Sequence, residues 1–233
     1  MTRRQLWHFW SAESGLTSLL VVTVISLFVN SALGDFPLGD LVTAFLFSLI
    51  IVTGVMATFR QRWVRFFVIV VAGADLALTW LQSLHPNGSL TIPDNVLKLI
   101  FLGLLLAVLS VQVFRAGPVT AHRIRGAVVI YLIIGVMWCY FYHIAVATIP
   151  QAFHFPLGLP VSDPRTLNRI LTYFSFTTLT TTGFGDITPT VPLTRTLAMF
   201  EALAGQLYLV ITLARLVSLA VVRQQDTVQG KPD

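Results

Sequence analysis

Charge is scarce in this sequence. Of its 233 residues, 15 are Lys or Arg and 10 are Asp or Glu, so that 11% are charged, where a soluble domain carries roughly 25%. With 55% hydrophobic residues and a mean hydropathy of +0.80, most of the chain is expected in lipid. Cysteine is scarcer still. The single Cys139 excludes an intrachain disulfide, and its apolar surroundings in sequence make it a small buried hydrophobe. Metal-ligand clusters, nucleotide-binding loops and hydrolase elbows are missing, so no enzyme chemistry and no cofactor are expected. Internal repeats and low-complexity runs are missing too. The net charge of +5 and the pI near 9.9 would suit nucleic acid. The basic residues, however, cap the ends of apolar segments rather than forming a stripe, and no nucleic-acid partner is expected.

What the sequence does have is long apolar runs. A spanning helix needs about 20 predominantly apolar residues. Candidates run over 14–33, 41–59, 66–84, from about 95 to 114, 126–149 and about 197–222. Turn signals separate them, such as Gly34-Asp35-Phe36-Pro37 and His85-Pro86-Asn87-Gly88. Arg3 and Arg4 before the first run resemble the start of a signal peptide, but no small-residue cleavage site precedes a polar mature domain, so the run is expected as a retained helix. With the N-terminus inside, Arg3, Arg4, Arg60, Arg62, Arg65, Arg115, Arg123, Arg125, Arg223 and Lys231 fall on the cytoplasmic side, ten in all. Only three, Arg165, Arg169 and Arg195, fall outside. That bias predicts six spans with both termini cytoplasmic. The compact form, with no room for a soluble regulatory domain in either tail, suggests a prokaryotic inner membrane.

The stretch 151–194 is of another kind. Pro156, Gly158, Pro160 and Pro164 make its beginning irregular, and Leu167–Thr178 is apolar but too short to span. A short apolar helix followed by Gly-rich backbone predicts a re-entrant loop, tolerated at membrane depth only where it is buried in protein or lines water. Asp163 is placed to cap that helix and Pro164 to occupy its first position. Its negative C-terminal end then points inward near Thr178–Thr180, favouring a cation.

The loop reads Thr177-Thr178-Leu179-Thr180-Thr181-Thr182-Gly183-Phe184-Gly185-Asp186. With a short helix before it and a spanning helix on each side, it resembles the pore signature of the potassium channel superfamily, in which a pore helix precedes Thr-Val-Gly-Tyr-Gly and usually Asp. The resemblance is strongest over Tyr173–Pro189. It implies an all-α membrane protein of six transmembrane helices plus a re-entrant pore helix, assembled as a homotetramer of the voltage-gated-like architecture. Residues 1–116 would form a four-helix domain. Residues 117–233 would form the pore domain, with outer helix 126–149, pore helix 165–179, filter 181–185 and inner helix 196–222. Rings of main-chain carbonyls replace the water a potassium ion sheds. By position, Thr181, Thr182, Gly183 and Phe184 would offer those carbonyls to K+, and the Thr181 hydroxyl the innermost ring. Gly183 and Gly185 would permit the alternating backbone. Thr180, Asp186 and Glu201 would support the filter. Thr182 stands where the pattern has Val, and Phe184 where it has Tyr, which deletes a bracing hydroxyl but no coordinating oxygen.

By the same resemblance, the inner helix lines the cavity, and Gly205 is either a gating hinge or, with Ala202 and Ala204, a point of close helix packing. Glu201 is an intramembrane carboxyl, read either as held by hydrogen bonds behind the filter in protonated form or as sensing pH. Asp75 lies mid-span in the third candidate helix and needs a partner, for which Lys98 is the candidate. The fourth helix has Lys98 near its start and Arg115 at its end but no arginine repeat, so weak or absent voltage sensing is expected. His8 and His143 are read as satisfied histidines rather than ligands. Two other functions fit parts of the pattern. One is a non-selective cation channel of the same architecture. The other is a membrane enzyme or carrier that gathers Asp75, Glu201 and His143 around one pocket and leaves Gly183-Phe184-Gly185 unexplained.

Overall fold

The computed structural model describes residues 3–33, 62–84, 91–114, 120–156 and 161–228, with scattered positions between 42 and 53. The second candidate span, 41–59, therefore lies largely outside the described residues. Among the described residues six helices follow in order: Arg3–Leu33, Arg62–Leu84, Thr91–Phe114, Ala121–Thr148, Pro164–Leu179 and Pro192–Val228. Three of them, Thr91–Phe114, Ala121–Thr148 and the Pro192–Arg215 part of the last, are long and apolar enough to cross a membrane.

The last three are here called the outer, pore and inner helices. The Thr120 side chain accepts from the Arg123 backbone N–H at the start of the outer helix, which ends at Ile149, just before Pro150. A residue preceding proline is pushed out of helical conformation, so the chain stops there. Asp163 caps the pore helix and Pro164 opens it. The helices outrun the apolar runs that announced them: the first begins at Arg3 and the inner one extends to Val228. Hydropathy marks the part of a helix that lipid can cover, and polar helix formers such as Arg and Gln extend it past that part.

A core of Leu16, Leu19, Phe101, Leu102, Leu105, Leu109, Ile130 and Ile133 joins the first and fourth-span helices to the outer helix. A second cluster sits on the other side, where Tyr142, Phe153 and Phe174 meet edge to face at centroid distances of 5.0–5.4 Å. A two-residue ribbon pairs Phe153 with Pro189 and His154 with Thr188, antiparallel. Thr194 Oγ1 donates to the Ala152 carbonyl at 2.9 Å. These contacts pin the two ends of the re-entrant segment to each other, just beyond the outer helix. The pore helix is thus wedged between outer and inner helices, with its C-terminus free to carry the strand 180–186.

Candidate pore and filter

Three positive φ values alternate along the strand: Thr181 at 57°, Gly183 at 53° and Gly185 at 79°. Glycine adopts this conformation at little cost, whereas a threonine is strained there. The first three N–H groups of the strand turn back to the pore helix. Thr181 N donates to Thr178 O at 2.9 Å, and Thr182 N and Gly183 N both donate to Thr177 O at 2.8 and 3.2 Å. Among the described residues, no donor ends on a carbonyl of 181–185. Donors are therefore consumed on one side of the strand, and acceptors remain unspent. All six residues from Thr181 to Asp186 are exposed in the single chain.

Hydroxyls knit the base of the strand. Thr180 Oγ1 donates to Phe176 O at 2.7 Å, so the 2.9 Å contact between Thr180 Oγ1 and Thr182 Oγ1 carries the Thr182 hydrogen. The hydroxyl that distinguishes Thr182 from a valine is thereby held at the back of the strand. Thr181 Oγ1 donates to Thr180 O at 2.7 Å and accepts from Gln206 Nε2 at 2.9 Å. Gln206 follows Gly205 on the inner helix and had no signal in the sequence, because a lone amide in an apolar helix has no motif.

Phe184, 68% exposed, is backed by Tyr173: the rings lie parallel, within 2°, with centroids 6.2 Å apart. The Tyr173 hydroxyl also lies in the field of the Asp186 carboxylate, which accepts from Ile187 N at 3.0 Å. A hydroxyl, absent from Phe184, is thus present one ring away, on Tyr173. At the other end of the pore helix, the Thr166 backbone N–H and hydroxyl donate to Asp163 at 3.0 and 2.8 Å, and they hold its carboxyl below the usual carboxylate range.

Behind the strand, Glu201 is fully buried. Its carboxyl oxygens lie 2.5 Å from Tyr142 Oη on the outer helix and 2.5 Å from Ser175 Oγ on the pore helix. One turn further, a Cβ added to Gly205 would lie 2.1 Å from the Leu179 carbonyl oxygen. Close packing therefore suffices to require glycine at 205. The pairs 201/175 and 205/179 advance by four residues on both helices, so pore and inner helices run in the same direction through this contact.

Asp75 and Lys98 do not pair directly. Lys98 forms its ion pair with Asp94, one turn earlier on the same helix, where an i,i+4 carboxylate is always within reach. Asp75 is buried, with no hydrogen-bond donor on either oxygen among the described residues, and feels Lys98 only at longer range. Nor do Asp75 and Glu201 share a pocket. On the outer helix, Cys139 lies in the field of Glu201 and Tyr140 in that of Asp75 and Asp94, so that helix stands between the two carboxyls. His143 is bonded to Asn168 at 3.0 Å and Cys139 is buried against Thr172. A membrane enzyme or carrier built on Asp75, Glu201 and His143 finds no common site here.

Residues 170–222 match the model of a family described as "Ion channel". The match spans most of the pore helix, the strand and the membrane-crossing part of the inner helix. It indicates an ion channel, and with the apolar helices it points to an integral membrane protein. No curated protein and no solved structure matches the chain.

Proposed function

We propose that this chain is one subunit of a homotetrameric potassium-selective channel that passes K+ down its gradient through the carbonyls of Thr181, Thr182, Gly183 and Phe184. The observation that carries this reading is the strand 181–185, in which the N–H groups of Thr181, Thr182 and Gly183 are spent on the pore helix while the carbonyls stay unspent and exposed. Irregular backbone of that kind cannot face lipid, where each unmet polar group costs several kcal/mol. It must face a watery axis, and one strand supplies only part of a coordination shell. Four strands about a common axis supply the whole. The pore helices would each direct about half a negative charge at the inner mouth of that axis.

Six spans, both termini cytoplasmic and a prokaryotic inner membrane complete the proposal, on the distribution of Lys and Arg. The Tyr173 ring stacked beneath Phe184 stiffens the strand and favours selectivity over plain cation conduction. The test is ion flux from purified protein in liposomes under opposed potassium and sodium gradients. A potassium-selective channel gives a reversal potential that follows potassium alone. Equal flux of both ions leaves a non-selective cation channel, and no flux of either ion overturns the proposal.

A further inference from the structure

Glu201 belongs to no ion-coordinating group, yet it is the only carboxyl among the described residues that joins all three pore helices. A count of hydrogens fixes its state. Ser175 Oγ lies 2.8 Å from the Gly135 carbonyl oxygen and 2.5 Å from Glu201 Oε1. The hydroxyl has one hydrogen. A carbonyl has none, and two bare oxygens do not settle at 2.8 Å, so the Ser175 hydrogen lies on the line to Gly135. The contact between Ser175 and Glu201 then needs a hydrogen from the carboxyl. Tyr142 meanwhile donates to the other carboxyl oxygen.

From this count we propose that Glu201 works as a neutral carboxylic acid, a positioning residue that donates to Ser175 and so sets the pore helix behind the filter. The chain of donors runs Tyr142 to Glu201, Glu201 to Ser175 and Ser175 to the Gly135 carbonyl. Every link has one hydrogen, and the series begins and ends on the outer helix while passing through the inner and pore helices. An ionised Glu201 has no hydrogen to give. Ser175 would then have to abandon either Gly135 or Glu201, and one of the three helices would lose its tie.

The surroundings agree with a neutral group. The titratable neighbours facing Glu201 are Tyr142, Cys139 and Tyr131, all on the outer helix; the pore helix presents the Ser175 hydroxyl, and no cationic side chain from either element interacts with it. A buried carboxylate without a cation would bear most of its desolvation cost uncompensated. Position gives the acid its role. It lies one turn above the contact of Gly205 with Leu179, the residue from which the chain passes into the filter. Tilting the pore helix at Ser175 moves Thr177, whose carbonyl holds the N–H groups of Thr182 and Gly183.

This inference rests on the channel reading for its consequence but not for its chemistry, and two measurements separate them. Infrared difference spectra of the purified protein against Glu201→Gln should show a carboxylic-acid C=O band in the wild type that the variant lacks; a carboxylate band in its place overturns the proposal, whether or not the protein conducts. In liposomes, Glu201→Ala should lower potassium flux about tenfold, since it leaves Ser175 and Tyr142 without their partner. Glu201→Gln, whose amide accepts from Tyr142 and donates to Ser175 as the acid does, should recover most of that loss, whereas Glu201→Asp, one methylene too short, should not. Equal loss in Ala and Gln overturns the proposal.

Discussion

At the scale of residues, the filter depends on what each side chain does behind the strand. Tyr173 makes two separable contributions, a ring stacked on Phe184 and a hydroxyl in the field of Asp186. Tyr173→Phe keeps the first and removes the second, while Tyr173→Leu removes both. The potassium-to-sodium permeability ratio should therefore fall in Phe. It should fall further in Leu, as read from reversal potentials in liposomes. Little of this support was legible beforehand. Gly183 and Gly185 announce themselves because positive φ has few other tenants. The Tyr173 ring, the Gln206 amide and the Ser175 hydroxyl are ordinary residues whose roles exist only once the chain has folded back. Glu201 was legible as a buried carboxyl, protonated behind the filter or sensing pH, but its partners Tyr142 and Ser175 were not. The expected pairing of Asp75 with Lys98 failed because a neighbour one helical turn away, Asp94, outcompetes a partner on another helix.

At the scale of elements, the pore helix is held at each end by a different device. Asp163 caps its start, and its carboxylate is favoured over the protonated form by the Thr166 donors. A carboxyl shifted downward on folding adds stability above its unfolded pKa and loses it as pH falls through the folded value. The thermal stability of the solubilised assembly should therefore drop below about pH 4, the ordinary aspartate range. Asp163→Ala should lack that increment and cost about 1 kcal/mol per subunit at neutral pH. At the far end, Gly205 lets the inner helix touch Leu179. In Gly205→Ala, the new methyl meets backbone oxygen at 2.1 Å, so a helix must move. The cost should be about 1–3 kcal/mol per subunit, seen as a lowered melting temperature. Gly103→Ala, whose methyl meets nothing within 4 Å, is the matched control and should not melt earlier. An assembly that melts normally with Gly205→Ala but opens differently would instead favour the hinge. The cap, Asp163 before Pro164, could be read directly from sequence because capping is local. The glycine contact could not, because it depends on which helix lies opposite.

At the scale of the whole molecule, one chain leaves its functional surface unfinished. The exposed strand is continuous with exposed Phe200, Leu203 and Leu207 on the inner helix, so a polar track and an apolar face are uncovered together. Lipid can cover the apolar face but not the track, whereas a ring of copies covers both. The helix Thr91–Phe114 offers no free gating charge among its described residues, since Lys98 is tied to Asp94. The ring makes a numerical prediction. Gly183→Ala should block conduction, because L-residues at φ 53° are strained by about 1–2 kcal/mol and the strand would rotate its carbonyls to escape. If every subunit supplies part of one coordination shell, a single altered copy spoils the whole. Co-expressing wild type and Gly183→Ala in equal amounts should then leave about one sixteenth of the wild-type flux, the share of fourfold rings built from wild-type chains only. A chain that conducts alone would keep half, and a dimer a quarter. Flux measured against the expression ratio traces a fourth-power curve if four strands share one axis, and any lower power means that the strand 181–185 closes its ring some other way.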